Sequence, residues 1–526
     1  MRKENIFVVV IIALMVIGCG APTNPTPLPI QSPTLFAQST FTSLPTVTKE
    51  SAIPTSTPES PLKTSGPFFT YLRDVDGVQQ IVMMDADGDG RKVIELPEET
   101  KDYSPYSEID MNYVSPDGKW LAFYSGFAGN YWFEKEIGEG PFDLTLNLLD
   151  LTTEKRHTII PILSKEYPNN FTDAAKQLNN PDITAAMLQG AFLHGITQAI
   201  AWSPDEQYLA FAGQMDGLSS DLYVYEMETK TIRRLSSGDQ ELQWINWSPD
   251  GKWILHGSTY EAGEGMTFDI YAAAVDGSSV KQFSRTSSYM ILWLSSHAYF
   301  EHENENVFGD YGLRLVDINT SKITKIWDGS YLSYSVDKSG NFLVLTTLTP
   351  DISPYVYETG SSSDFVPGLY LIDLSTLLKT KIEFPSDGIF IDYSAIPFDL
   401  GGHIFVLIGE GSNSYFLSKN MELISLELRG AKISISPDSN YWVAVTGKTI
   451  NVYSADNVLV NSIPLSVSNV NRSDLNWRPD SSGLFLVDDT LIYSVNILNG
   501  ETRLLENKLI NNFGNFGPQY KWIDGQ

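Results

Sequence analysis

A single cysteine in 526 residues leaves no partner for an internal disulfide, so stability must come from burial rather than cross-linking. Positive charge is also scarce. Lys and Arg total 35 against 64 Asp and Glu, a formal net charge of −29, which repels phosphate backbones and removes nucleic acid from the expected partners. Six histidines leave few general bases. His297 and His302 flank Ala-Tyr-Phe-Glu at a spacing of five, not the four that a zinc helix needs. No Gly-x-Ser-x-Gly elbow, dinucleotide fingerprint or Walker loop occurs. A complete prolyl-oligopeptidase-like serine hydrolase and a nucleotide cofactor are therefore not expected.

What is present begins with an export signal. Arg2 and Lys3 precede an uncharged apolar run, Ile6 to Ile17, that is too short to span a bilayer. Val16-Ile17-Gly18-Cys19 closes it and resembles the bacterial lipoprotein lipobox. The resemblance implies cleavage after residue 18 and lipid attachment at Cys19, with the mature protein outside the cytoplasm and anchored to the bilayer by two or more acyl chains. Residues 19–66 then read as a stalk. Between 21 and 66 lie nine prolines, ten threonines and seven serines, a composition that builds no core and extends at about 3.1 Å per residue.

Residues 67–526 carry a repeat: a strand, a Ser-Pro-Asp-Gly-type turn, an apolar strand, a variable loop and a hairpin. The clearest copies lie at 115–123, 203–211 and 248–256, with weaker ones at 336–345, 436–445 and 478–487. Trp202, Trp247 and Trp477 each sit two residues before the proline, placed to fill the space between neighbouring sheets. Four strands in 40–55 residues is the arithmetic of a propeller blade. The chain is expected to be all-β, a closed β-propeller of four-stranded blades. Nine units can be counted, or eight, since the units around 288–329 and 389–428 lack the proline turn. Tyr520 to Gly525 imitates the inner strand missing before Phe68, so 516–526 is expected to pair with the blade of 67–97 and close the ring.

The repeat is similar to that of the TolB-type, WD-repeat-like propeller family. Ala201-Trp202-Ser203-Pro204-Asp205 matches the first half of the family repeat, and Ile81-Val82-Met83-Met84-Asp85-Ala86-Asp87-Gly88 matches the second. The resemblance implies the fold but no single activity, because propellers of this type serve scaffolds, peptidase gates and lyases alike.

Because blade strands alternate in direction, the proline turns emerge on one face, and the long insertions 126–141, 163–195, 259–267, 300–311 and 348–367 on the other. Insertions on one rim are where function concentrates. The segment 163–195 reads as two short helices, N-capped at Thr172 and Asn180, with Met187, Leu188, Ala191 and Phe192 as an apolar face and His194 near its end. The remaining insertions are acidic and aromatic. Tyr131, Trp132 and Glu134, then Tyr260 and Glu261, then His302, Glu303 and Tyr311, and finally Tyr355 form the expected ligand-binding rim. Asp85, Asp87 and Asp89 imitate the start of a calcium loop, but Lys92 and Leu96 break the pattern. That stretch reads as a plain turn, with calcium as a minor candidate and no other cofactor expected.

These features point to a surface-anchored binding module for a protein, peptide or glycan, preferably cationic. Two alternatives stand beside it: a lyase or hydrolase acting on an extracellular polymer from an axial pocket, and a purely structural envelope scaffold. No catalytic residue is assigned. Changing Cys19→Ser should move the protein from the membrane to the soluble fraction and abolish palmitate labelling; retention in the membrane fraction would overturn the anchor assignment.

Overall fold

The structure is a computed structural model that describes residues 60–61, 63, 66–96, 111–128, 142–167, 169–181, 183–196, 199–260, 267–286, 291–306, 309–331, 333–337, 339–347, 368–382, 399–400, 403–406, 413–417, 423–429, 431–465, 474–488, 491–509 and 520–523. Cys19 and most of the stalk lie outside them. Strands dominate because apolar residues occupy both parities of the central strands. In Val78–Asp85, Ile81 and Met83 face one neighbouring sheet while Val82 and Met84 face the other. A sheet with two apolar faces is stable only when flanked on both sides, which a ring provides.

Seven sheets contain four antiparallel strands in meander order, an eighth, the first in the chain, has five strands, and these eight blades build a closed β-propeller. The nine units counted in the sequence resolve into these eight blades and one three-stranded sheet, Trp120–Ser125, Thr145–Asp150 and Lys155–Pro161. At the inner position of that second sheet stand a 3-10 turn, Met111–Tyr113, and a single bridge from Val114 to Leu121. Tyr520–Ile523 pairs antiparallel with Phe68–Tyr71 as the innermost strand of the first sheet. On the outer edge of that sheet, Ser60–Pro61 adds a short parallel strand beside Gly90 and Arg91, so residues assigned to the stalk belong to the first blade.

Each proline turn is held by its own side chains. Ser203 Oγ donates to Asp205 and accepts the Tyr208 N–H, and Ser115 with Asp117, Ser248 with Asp250 and Ser436 with Asp438 repeat the arrangement. Gly118 and Gly251 supply positive φ at the turn exit, but Glu206, Ser439 and Ser481 adopt the same left-handed conformation. Side-chain bonds across the turn thus offset the steric cost of a Cβ there.

Adjacent blades are latched by indole N–H groups. Trp202 donates to the Tyr113 carbonyl at 2.8 Å, Trp247 to the Ala201 carbonyl at 3.0 Å, Trp293 to Asn246 Oδ1 at 2.8 Å and Trp477 to Ser434 Oγ at 3.0 Å. Every acceptor lies on the inner segment of the preceding sheet. Trp247→Phe keeps most of the apolar volume but leaves the Ala201 carbonyl without its donor, so unfolding free energy should fall by about 1–3 kcal/mol in urea titration; an unchanged midpoint would show that the latch contributes nothing.

The helical insertion joins the second and third sheets. α1 (Asn169–Leu178) begins three residues before Thr172, and α2 (Ala185–Ile196) is capped by Thr184, whose Oγ1 accepts the Met187 N–H, rather than by Asn180. Asn180 instead closes a turn through Ile183. Leu188, Ala191 and Phe192 are buried while Met187 is partly exposed. The stretch 300–311 is not a loop either. Ala298–Asn306 and Gly309–Asp317 pair as one long hairpin, whose backbone ladder runs on through the acidic residues.

Candidate functional site

The insertion face converges where the helices meet the third and fourth blades. Gly195, in the last turn of α2, packs on the inner strand Glu241–Trp247 so closely that a Cβ would lie 1.9 Å from the Leu242 carbonyl oxygen. Only glycine permits that approach. His194 Nδ1 lies 3.0 Å from Gln243 Oε1, and Gln243 Nε2 donates to the Ala191 carbonyl, so helix and strand share a buried polar seam. α1 secures the neighbouring loop: Asn170 Nδ2 donates to the Gly217 carbonyl and to Ser164 Oγ.

Glu241 lies at the top of that strand, fully buried. Its Oε2 accepts the Ser220 N–H at 2.7 Å, and Ser220 Oγ accepts the Leu242 N–H. Its Oε1 is buried without a hydrogen-bond partner. Burial pushes its pKa up to about 8, assisted by the nearby Asp221 charge. Asp221 is itself buried and pushed up to about 6, because burial outweighs the attraction of Arg234, with which it pairs. Arg234 also reaches Asp216, which accepts the Tyr223 hydroxyl. On the fourth blade, Gln240 Nε2 donates to Asp269, and the Tyr260 hydroxyl is tied to Asp239. Asp216 and Asp239 are exposed and Asp269 half-buried. Five carboxyl groups and two tyrosines thus share one sector of the rim with two guanidinium groups, Arg234 and Arg285, the latter opposite Asp269 across the strand pair. Such a sector attracts cations, and Glu241 supplies a carboxyl that stays protonated at neutral pH.

Of the residues expected from the sequence, the four that are described do not share one site. Tyr260 belongs to this sector. His302 is buried in the fifth sheet, its Nδ1 bonded to the Tyr331 hydroxyl and its ring packed edge-on to Tyr334, and burial lowers its pKa to about 4. It is a neutral core histidine, not a rim ligand. Glu303 is half-buried and pairs with Lys325 at 3.6 Å, while Tyr311 pairs through its backbone with Asn304 and Ser330. Tyr131, Trp132, Glu134, Glu261 and Tyr355 lie outside the described residues. The Asp85–Asp89 stretch is the hairpin turn of the first blade. Lys63 contacts Asp85 and Asp87, Arg503 pairs with Asp89 at 2.6 Å, and Asp87 Oδ1 accepts the Asp89 N–H. Those carboxylates are directed at side-chain cations and backbone. Among the described residues, no three His, Cys, Asp or Glu side chains are grouped to hold a metal.

Glu241, Asp221 and Asp269 escaped sequence reasoning because they lie at strand ends, and Asp239 because it lies in a short connection, rather than in long insertions. One signal was there: Glu241 and Gln243 place two polar groups on the same face of an inner strand.

No family model matches the chain. Over 199 residues, 36% of this chain and 24% of the relative, it is 27% identical to dipeptidyl-peptidase 5 of Aspergillus fumigatus. Over 139 residues, 24% of this chain and 45% of the relative, it is 25% identical to an uncharacterized protein of Agrobacterium fabrum. The chain thus matches less than half the length of these curated relatives. Similar solved structures include a chain from a study of two prolyl endopeptidases, with a TM-score of 0.36 at 11% identity over 68% of this chain and 58% of that one. Another, described as a eukaryotic initiation factor, has a TM-score of 0.44 at 12% identity over 85% of this chain and 98% of that one.

The raised Glu241 pKa makes a signed prediction. Unfolded, the carboxyl titrates near 4.5; folded, near 8, so the native state retains a proton that the unfolded state has lost. Stability contributed by this group is greatest below 4.5 and declines until the pH passes 8. Glu241→Gln should therefore gain on the parent by up to about 1.4 kcal/mol per pH unit across that window. Parallel stability curves from pH 5 to 8 would show that Glu241 is not held protonated.

Proposed function

We propose that this protein is an extracytoplasmic, lipid-anchored β-propeller that binds a cationic protein or peptide on its insertion face. The observation that carries the reading is the carboxyl-rich sector of Asp216, Asp221, Asp239, Glu241 and Asp269, where five carboxyl groups outnumber the two guanidinium groups of Arg234 and Arg285, bordered by Tyr223 and Tyr260. The net charge of −29 extends the same field across the molecule and favours fast, salt-sensitive capture of cations. A partial match to a protein named as a dipeptidyl-peptidase supports a peptide over a glycan as the ligand class. The likeness of 81–88 and 201–205 to the TolB-type repeat and the lipobox-like Val16–Cys19 support an envelope setting.

A hydrolase or lyase is the second reading, favoured by one observation: Glu241 keeps a proton near neutral pH, as a general acid must. The turn serines offer no nucleophile, since each is committed to its own aspartate and backbone.

Binding of the full chain to a lysine- and arginine-rich peptide, measured by calorimetry, tests the primary reading. The double variant Asp239→Asn with Asp269→Asn should weaken binding by about threefold to tenfold, the worth of two partly exposed ion pairs. Affinity that is unchanged in the variant and insensitive to salt would overturn it.

A further inference from the structure

Two tyrosines of the fourth sheet stand beside the carboxyl groups of the rim. Asp269 and Tyr271 project from the same face of Phe268–Ala274, being two residues apart in a strand. Ser258 lies opposite Asp269 in the ladder, and Tyr260 follows two residues later, just beyond the end of Trp253–Thr259. The Tyr260 hydroxyl is bonded to Asp239, and Gln240 Nε2 holds Asp269 at 2.6 Å. Burial first, and then Asp239 and Asp269, raise the pKa of both phenols, so each keeps a neutral hydroxyl beside those carboxylates. Asp239 is exposed, while Tyr260, Asp269 and Tyr271 are half-buried, so the group is open to solvent.

Packing does not use up the polar capacity of this corner. His256 is opposite Tyr271 in the ladder and stacks on its ring, with centroids 5.2 Å and planes 12° apart. It is 1% exposed, and neither ring nitrogen has a hydrogen-bond partner. Phe123, Phe211 and Ala444 hold the same place, eight residues after the turn serine, in the other Ser-Pro-Asp copies, so the repeat itself calls for an apolar side chain there. Glu241 Oε1, next to Gln240 in the chain, is likewise buried and unpartnered. Burying such atoms without partners is unfavourable, and filling space does not account for them.

We propose that Asp239, Tyr260, Asp269 and Tyr271 form a cup for one alkylammonium group, the side chain of a lysine or its methylated form, carried by the cationic ligand. The proposal rests on the cation-binding reading of the insertion face and adds the chemical class that the face selects. The four side chains come from a loop, a strand end and a strand, so their oxygens approach from separate directions. That suits the three divergent N–H donors of an ammonium, whereas a guanidinium takes acceptors side by side in its own plane. Phenol faces add their own attraction for a cation and tolerate methyl groups on it. Arg285 stands opposite Asp269, but its Nε and Nη2 both donate to Thr267 Oγ1, at 3.3 and 3.2 Å, so those donors are taken by a hydroxyl.

The test titrates the full chain by calorimetry, at low and at high salt, with blocked peptides that differ only in a central lysine, trimethyl-lysine or arginine. The lysine peptide should bind about threefold or more tighter than the arginine peptide. Tyr271→Leu should weaken the lysine and trimethyl-lysine peptides by about twofold to fivefold, the worth of one partly exposed cation–π contact, and Tyr271→Phe, which keeps the ring, should restore the trimethyl-lysine affinity. Tyr260→Leu, beyond the strand end, repeats the measurement where Tyr271→Leu fails to fold. Salt-sensitive binding in which arginine equals lysine, or in which the leucine variants match the parent, overturns the cup and leaves the cationic reading standing. No salt-sensitive binding of any of the peptides overturns both.

Discussion

Four residues near the end of the chain, Tyr520–Ile523, close the sheet that begins at Phe68, and the remaining architecture depends on that pairing. A propeller has no core of its own at the centre of any one sheet; its apolar groups lie between sheets. Phe69 makes this visible: it meets Phe485 of the ninth sheet edge-on at 4.9 Å and Trp522 of the closing strand at 5.1 Å, while Trp522 stacks on Phe485. Without closure, the first and ninth sheets would each present an apolar face and an unpaired edge to water. The indole latches between inner strands repeat the same device with hydrogen bonds, so that each blade is positioned by the one before it.

Closure also buries a carboxylate, and comparison with Glu241 shows what decides the state of a buried acid. Glu506, on the outer strand of the ninth sheet, accepts bonds from the Tyr71 hydroxyl, Arg73 and the N–H groups of Asn507 and Lys508. Burial raises its pKa, but those donors outweigh the effect and the net shift is downward. Glu241 has the Ser220 loop and no cation, and its shift is upward. The first is a charged tie between blades. The second is a neutral acid at the rim, next to an insertion whose helix C-terminus is pressed against the same strand at Gly195.

The two faces consequently have separate characters. The insertions and the buried Glu241 lie on one, whereas the tight turns with their aspartates and the chain at Ser60 lie on the other. This division follows from strand alternation alone: connections of the two kinds cannot exchange faces without reversing a strand. Strand ends bring carboxyl groups to that rim as readily as long insertions, which explains why acidic insertions were an incomplete guide to the candidate site. His302 shows the reverse error. Its acidic neighbours in sequence suggested a solvated loop, yet the strand continues through them and alternation turns the imidazole inward against Tyr331.

The sequence by itself determined the all-β class, the repeat, the turn chemistry and the place of the tryptophans, because strand periodicity and Ser-Pro-Asp turns are local and their hydrogen bonds close within six residues. It also marked two helices in the 163–195 segment, although the first starts at Asn169 and the second is capped by Thr184. Only the tertiary structure decided that the second sheet has three strands, that Glu241 and Asp221 share a buried corner with Asp239 and Asp269 nearby, and which aliphatics remain exposed. Those outcomes depend on residues brought together from different blades, and desolvation acts on the assembled neighbourhood rather than on any stretch of chain.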